Sequence, residues 1–212
     1  MIKIEGKDTM RKIYIPVIIF TVLILDSCSK KEDQSSLITK MKPVLLDKGE
    51  YNVNVLESKL IWTGKKSTKQ HHGTIQIKKG QIKINDSGLI NGDIEIDMST
   101  INTTDMQGRG KENLDQHLKD SDFFDVKIYP ISYLKFHSNG KENNNGKLKF
   151  DGELTIKNIT HPILFYSEIQ KLNGKLKAKA NVVFDRSLYD VKYGSGKFFD
   201  NLGDRLIHDE IN

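Results

Sequence analysis

From residue 51 onward the chain alternates. Ile75 and Ile77 interleave with Thr74, Gln76 and Lys78, and Ile82 and Ile84 with Gln81 and Lys83. Ile94, Ile96 and Met98 interleave with Asp93, Glu95 and Asp97, and Leu134 and Phe136 with Lys135 and His137. Leu148 and Phe150 precede Asp151-Gly152, and Leu154 and Ile156 follow it. Leu176, Ala178, Ala180, Val182 and Phe184 alternate with Lys175, Lys177, Lys179 and Asn181. A period of two is the signature of a strand with one apolar and one wet face, the pattern of antiparallel sheets. Turn signals separate the runs at Lys79-Gly80, Asp86-Ser87-Gly88, Asn91-Gly92, Asp151-Gly152, Asn139-Gly140 and Asn173-Gly174. Eight or so strands in series form a meander, and a long meander hides its edges by closing into a barrel. The predicted fold is therefore all-β.

Residues 99–126 break the alternation. Leu114 and Leu118 stand at helical spacing, and Asp120 or Ser121 is placed to cap a short turn carrying Phe123 and Phe124. One or two short helices are expected in this connection, laid over the barrel. The two phenylalanines sit among charged residues and are expected to face inward or across the barrel mouth. Inward positions elsewhere are Ile, Leu, Phe, Val and Ala. Alternation alone does not separate a barrel filled by its own side chains from one holding a small ligand. A hollow with such walls favours an apolar guest, each buried methylene contributing about 0.8 kcal/mol.

The first half-hundred residues read differently. Residues 13–25 are uncharged and apolar, too short to span a bilayer as a helix, and follow Lys3, Lys7, Arg11 and Lys12. This is the pattern of a secretory signal over 1–27. The sequence Leu25-Asp-Ser-Cys28 resembles a bacterial lipobox, which implies an acylated Cys28, a membrane anchor and a lipoprotein of the cell envelope, facing the periplasm or the cell surface. Residues 28–48 read as the lipidated cysteine and a flexible tether, and 49–212 as the barrel domain. One cysteine excludes an intrachain disulfide. The net charge of +5 is spread along the chain without a basic stripe, which argues against nucleic-acid binding.

The chemistry-bearing residues are few. His71, His72, His117, His137, His161 and His208 form no metal-ligand spacing, so no metal is expected. His72 and His137 are expected to face outward and His161 to sit in a turn. No Gly-x-Ser-x-Gly elbow is present, Cys28 lies at the lipidation point, and the stretch from Tyr193 to Gly196 reads as a plain loop. No catalysis and no cofactor are expected. An enzyme acting at the mouth would need His117 to converge with Asp115 or Asp204. Arg186, Lys65 and His117 are candidates for a ligand's head group, with a rim pairing of Arg186 to Asp185 or Asp204 as the plainer reading.

The stretches WTGKK (62–66), HHGTI (71–75), HLKDSDFFDVKIYP (117–130), GELTIKNITHP (152–162), FDRSLYDVKYGSG (184–196) and LGDRLIHD (202–209) resemble the YceI-like, polyisoprenoid-binding family, in family order. The resemblance implies an extended eight-stranded antiparallel β-barrel, lipocalin-like, holding a long isoprenoid or other amphiphilic lipid. It implies that Trp62, Phe123 and Phe124 line or gate the tunnel. The wall would comprise Ile75, Ile77, Ile94, Ile96, Leu134, Phe136, Phe150, Phe165, Val182 and Phe184. Dimers occur in that family, which makes a homodimer an expected partner state. Family members usually run through a longer last strand, so either a short closing strand or an incomplete sequence is expected at Ile211-Asn212. A structural or adhesive surface protein with a filled barrel is the alternative reading.

Overall fold

The computed structural model describes residues 46–140, 146–172 and 175–212. The signal and lipidation readings, and most of the tether, lie outside them.

Ten strands occur in the order β1 (Gly49–Asn52), β2 (Leu60–Lys66), β3 (Gln70–Ile84), β4 (Ile90–Thr103), β5 (Ile131–Ser138), β6 (Leu148–Ile156), β7 (Ile159–Leu172), β8 (Lys175–Asn181), β9 (Phe184–Asp185) and β10 (Ile207–Ile211). Each pairs antiparallel with its neighbour along the path β8-β7-β6-β5-β4-β3-β2-β10-β9, and β1 pairs with β3. β2 takes the lower part of β3, from Gln70 to Ile75, and β1 the upper part, from Gln81 to Ile84. The two are one interrupted stave. β8 and β9 are likewise one segment, broken only at Val182-Val183. Pairing with β7 on one side of that break and β10 on the other, it brings the two ends of the curled sheet together. Ten strands thus make the eight expected staves. The short β10 joins the ring, lying between β2 and β9.

The inward face follows the predicted alternation, with shifts of phase that the sequence hides. On β3, positions 73, 75 and 77 face inward below and 80, 82 and 84 above, because the ladder slips between Ile77 and Lys79. Lys79-Gly80 is therefore strand, paired with Glu95 and Ile94 just past a bulge at Lys78, and not a turn. On β4 the phase changes near Thr100, whose hydroxyl donates to the Asp97 carbonyl at 2.6 Å and accepts from the Gln76 amide at 2.8 Å.

Two further expected turns also lie inside strands. Gly92 is in β4, where an added Cβ would fall 2.1 Å from the Phe136 ring. Gly152 is in β6, where a Cβ would fall 2.7 Å from the Lys135 carbonyl oxygen and 3.2 Å from the Phe136 Cβ. These glycines let Phe136 lie across the inner wall. The β6–β7 turn falls instead at Lys157 and Asn158, both left-handed (φ 51° and 60°). Consequently His161 and Pro162 belong to β7, opposite Leu154 and Glu153, and not to a turn. Proline is tolerated there because β8 pairs with β7 only from Tyr166 onward.

Between β4 and β5 lies one helix, α1 (Gly108–Lys119). β4 runs on to Thr103 and β5 begins at Ile131, so the connection covers 104–130 and not 99–126. Asp120 ends α1 and does not cap a later turn with its side chain; its carbonyl accepts from the Phe123 and Asp125 amides. The chain then folds back, bringing Phe123 to 4% exposure. Burial alone would raise the Asp115 carboxyl. Hydrogen bonds from Lys111 and Thr103, with the Lys111 charge, nevertheless hold it below the usual range. Through these bonds α1 is held against the end of β4.

Candidate functional site

The inward face carries three apolar clusters that share members. At the hairpin end, Ile84, Ile90, Leu148, Phe150 and Phe165 are buried, with Leu134, Phe136 and Val182 packed against them. Phe136, Phe150 and Phe165 form a triad, with centroids 5.2–5.8 Å apart. At the helix-capped end, Met98, Ile101, Leu118, Phe123, Val126 and Val191 are joined by Trp62, Ile75, Ile96 and Phe124. A third group of Leu154, Ile156 and Tyr189, with Phe184, shares Phe124 with the helix-capped cluster and Leu134 and Ile163 with the hairpin cluster. The structure thus brings eleven of the thirteen wall candidates into these groups. The other two, Ile77 and Ile94, lie on inward positions of β3 and β4 without joining a cluster.

Many of these inward side chains are not fully buried. Ile94, Leu134 and Phe136 stay half-buried although strands flank them on both sides, and Ile163, Val182 and Phe184 are half-buried too. Ala178 and Ala180, on the inward phase of β8, are exposed outright. The reason is topological. From Lys175 to Asn181, β8 has a strand on one side only. Across from it, Glu57 in the 53–59 break pairs with Lys175 at the start of β8, and Asp47, just before β1, pairs with Lys171 of β7. A lateral seam therefore runs between β8 and the β1–β2 stave. A separate groove of about 720 Å³ lies on the charged outer face, lined by Lys79, Glu95, Tyr133 and Lys135 among others. Its lining is mostly the wet side of the alternation, with the inward-phase Gly80 and Ile94 among it.

The head-group candidates have different surroundings. Arg186 is fully buried in a 3-10 turn, Arg186–Tyr189. Its guanidinium donates to the carbonyls of Val191 (2.8 Å), Ile207 (3.2 Å) and His208 (3.3 Å) and pairs with Asp209 at 3.2 Å. It also lies over the Phe123 ring, 5.4 Å from the centroid. Burial lowers its pKa, and Asp209 and Asp185 oppose that. Asp185 itself caps the turn through Ser187 and pairs with Lys197. Tyr189, beside His161 and Phe184, has its phenol pushed up to about 12 by burial and the nearby Asp185 charge. Lys65 is exposed on β2.

His117 lies on α1, edge-on to Tyr193 at 4.4 Å and to Phe123 at 5.5 Å, with Nδ1 3.7 Å from Asp122. Asp115 is engaged by Thr103 and Lys111. Among the other histidines, His71 pairs with Asp105 at 3.0 Å and His161 meets the Leu188 carbonyl at 3.0 Å, while His72 and His137 face outward.

Sequence reasoning missed the inward polar residues. Ser132 and Ser138 occupy the same phase as Leu134 and Phe136, and both are buried. Thr103 and Ser167 are buried too. The signal was available as a polar residue in an apolar slot of the alternation.

Comparison with known proteins follows this geometry. The profile of the YceI-like domain matches residues 51–212. The fold is similar to that of BcnA from Burkholderia cenocepacia (TM-score 0.59, 20% identity, covering 75% of this chain and 94% of that one). It is also similar to a polyisoprenoid binding domain from Saccharophagus degradans implicated in plant cell wall breakdown (TM-score 0.51, 12% identity, 78% and 94% covered). No curated protein matches the chain. With the matched profile spanning most of its length and the curled meander in place, the chain belongs to the YceI-like family.

Proposed function

We propose that this protein binds a long-chain amphiphilic lipid of the polyisoprenoid type along its inner wall and sequesters or carries it without catalysis. The observation that carries the reading is the wall itself: apolar side chains run from the hairpin end to the helix-capped end, and those midway keep accessible surface. A chain of methylenes and methyls laid there removes that surface from water, at about 25 cal/mol per Å². The similarity to a domain described as polyisoprenoid binding supports it. The seam beside β8 offers a side route for the tail.

The same proposal places the protein in the cell envelope, held by an acyl group on Cys28. Organic extraction of the folded, purified protein followed by mass spectrometry tests the binding. A stoichiometric long-chain amphiphile is expected. Repeated recovery of none from protein made in a lipid-replete host would leave the filled-barrel reading in its place.

A further inference from the structure

The groove on the outer face, about 720 Å³ in volume, is separate from the inner wall and owes nothing to the lipid reading. Two rows of side chains line it, each crossing the strands at successive register positions. Lys79 stands opposite Glu95, Glu95 opposite Tyr133, and Tyr133 opposite Thr155. In the next row Asn52 stands opposite Gln81, Gln81 opposite Asp93, and Asp93 opposite Lys135. The rows cross from β1 through β3, β4 and β5 to β6, which at about 4.8 Å per strand spacing makes a trough about 19 Å long. Two features of the chain shape it. β3 bulges at Lys78, beside the first row, and a bulged strand bends. The edge of β3 from Gln76 to Gly80 also has no strand on the β1–β2 side among the described residues, which opens the trough at Lys79.

The lining narrows the guest. Tyr133 is the one aromatic ring in it, so a long apolar chain would bury little surface there. The charges balance, with Lys79 and Lys135 against Asp93 and Glu95, and Lys79 already pairs with Glu95 at 2.9 Å. An ionic ligand would therefore meet no excess of opposite charge. What the trough offers is a dense set of hydrogen-bonding groups: the amides of Asn52 and Gln81, two carboxylates, two ammonium groups and the Thr155 hydroxyl. They surround a ring that is 39% exposed. A ligand that fits has hydroxyl groups around its rim and C–H groups on its faces, which is the chemistry of a pyranose sugar. We propose that the outer groove binds an extended, uncharged oligosaccharide. One sugar ring lies with its C–H face on Tyr133, held by dispersion. The rings on either side of it hydrogen-bond along the two rows.

Titration of the nitrogen-15-labelled full-length protein, followed by NMR, tests this. The probes are the dimers and tetramers of β-1,4-linked glucose and of β-1,4-linked N-acetylglucosamine, with the cationic glucosamine tetramer as the charged control. At least one neutral tetramer should shift the amide resonances of Glu95 and Tyr133 saturably, and bind about tenfold tighter than its dimer. Which neutral sugar does so shows whether the trough reads hydroxyl or acetamido groups. Tyr133→Ala should weaken that tetramer about tenfold, whereas Tyr133→Phe keeps the ring and should keep most of the affinity. Both variants should melt like the parent and bind a fluorescent polyene as the parent does, because Tyr133 is on the outer face. The proposal is overturned if neither neutral tetramer binds saturably, if the glucosamine tetramer binds tightest, if the shifts lie away from the groove, or if Tyr133→Phe loses as much affinity as Tyr133→Ala. Failure of the parent protein to bind the polyene counts against the lipid reading alone.

Discussion

Arg186 and Ser132 are two polar residues buried at the same end of the barrel, and their environments are opposite. Arg186 donates to three backbone carbonyls and faces the Asp209 carboxylate, whereas the Ser132 hydroxyl has no partner among the described residues. Replacing Arg186 with Ala would strand Asp209 and three carbonyls. Equilibrium urea unfolding should show a loss of about 3–5 kcal/mol. Weakened lipid binding at undiminished stability would instead mark Arg186 as a head-group ligand. The sequence placed Arg186 at a strand end and weighed a rim pairing. It did not show that the loop from 190 to 206 returns β10 and with it Asp209, because that contact spans 23 residues of irregular chain. Ser132 was legible in principle, since it interrupts an apolar phase. A serine at that slot, however, reads equally as a wet position until the register with Ile96 is known.

At the scale of elements, strands were legible and their glycines were not. Gly80, Gly92 and Gly152 each looked like punctuation. Each instead marks a place where a neighbouring group crosses close to the inner wall, which one sequence cannot distinguish from a turn. Helix α1 was legible from Leu114 and Leu118, but its anchorage was not. Asp115 carries the anchorage as an ionised group. Because its folded pKa is depressed, its contribution is present above the unfolded carboxylate value of about 3.9 and is lost as pH falls through the lower folded value. Asp115→Asn should lower stability near neutrality and flatten the acid limb, as read by unfolding between neutral pH and strong acid. An unchanged acid limb would contradict that role. The β8 seam makes its own prediction. Ala178→Trp should fill the lip and slow exchange of a bound polyene in stopped-flow measurements, while leaving the fold intact by circular dichroism.

The molecule as a whole combines a curled meander with a long leading segment. Alternation and the need to hide sheet edges pointed to a barrel, and the family motifs pointed to its lipocalin-like form. Neither showed that eight staves would be assembled from ten strands, since the breaks at 53–59 and 182–183 depend on how the sheet closes. If Cys28 carries an acyl anchor, Cys28→Ser should abolish metabolic labelling with a radioactive fatty acid and release the protein from the membrane fraction. Labelling that survives the change would contradict the tether. The central claim concerns the inner wall, and a crystal structure with a bromine-labelled polyisoprenoid tests it most directly. The account predicts anomalous density inside the ring of staves, along the wall between Trp62 and the phenylalanine triad. Bromine located only in the charged outer groove beside Lys79 and Glu95, or nowhere at saturating ligand, would contradict it.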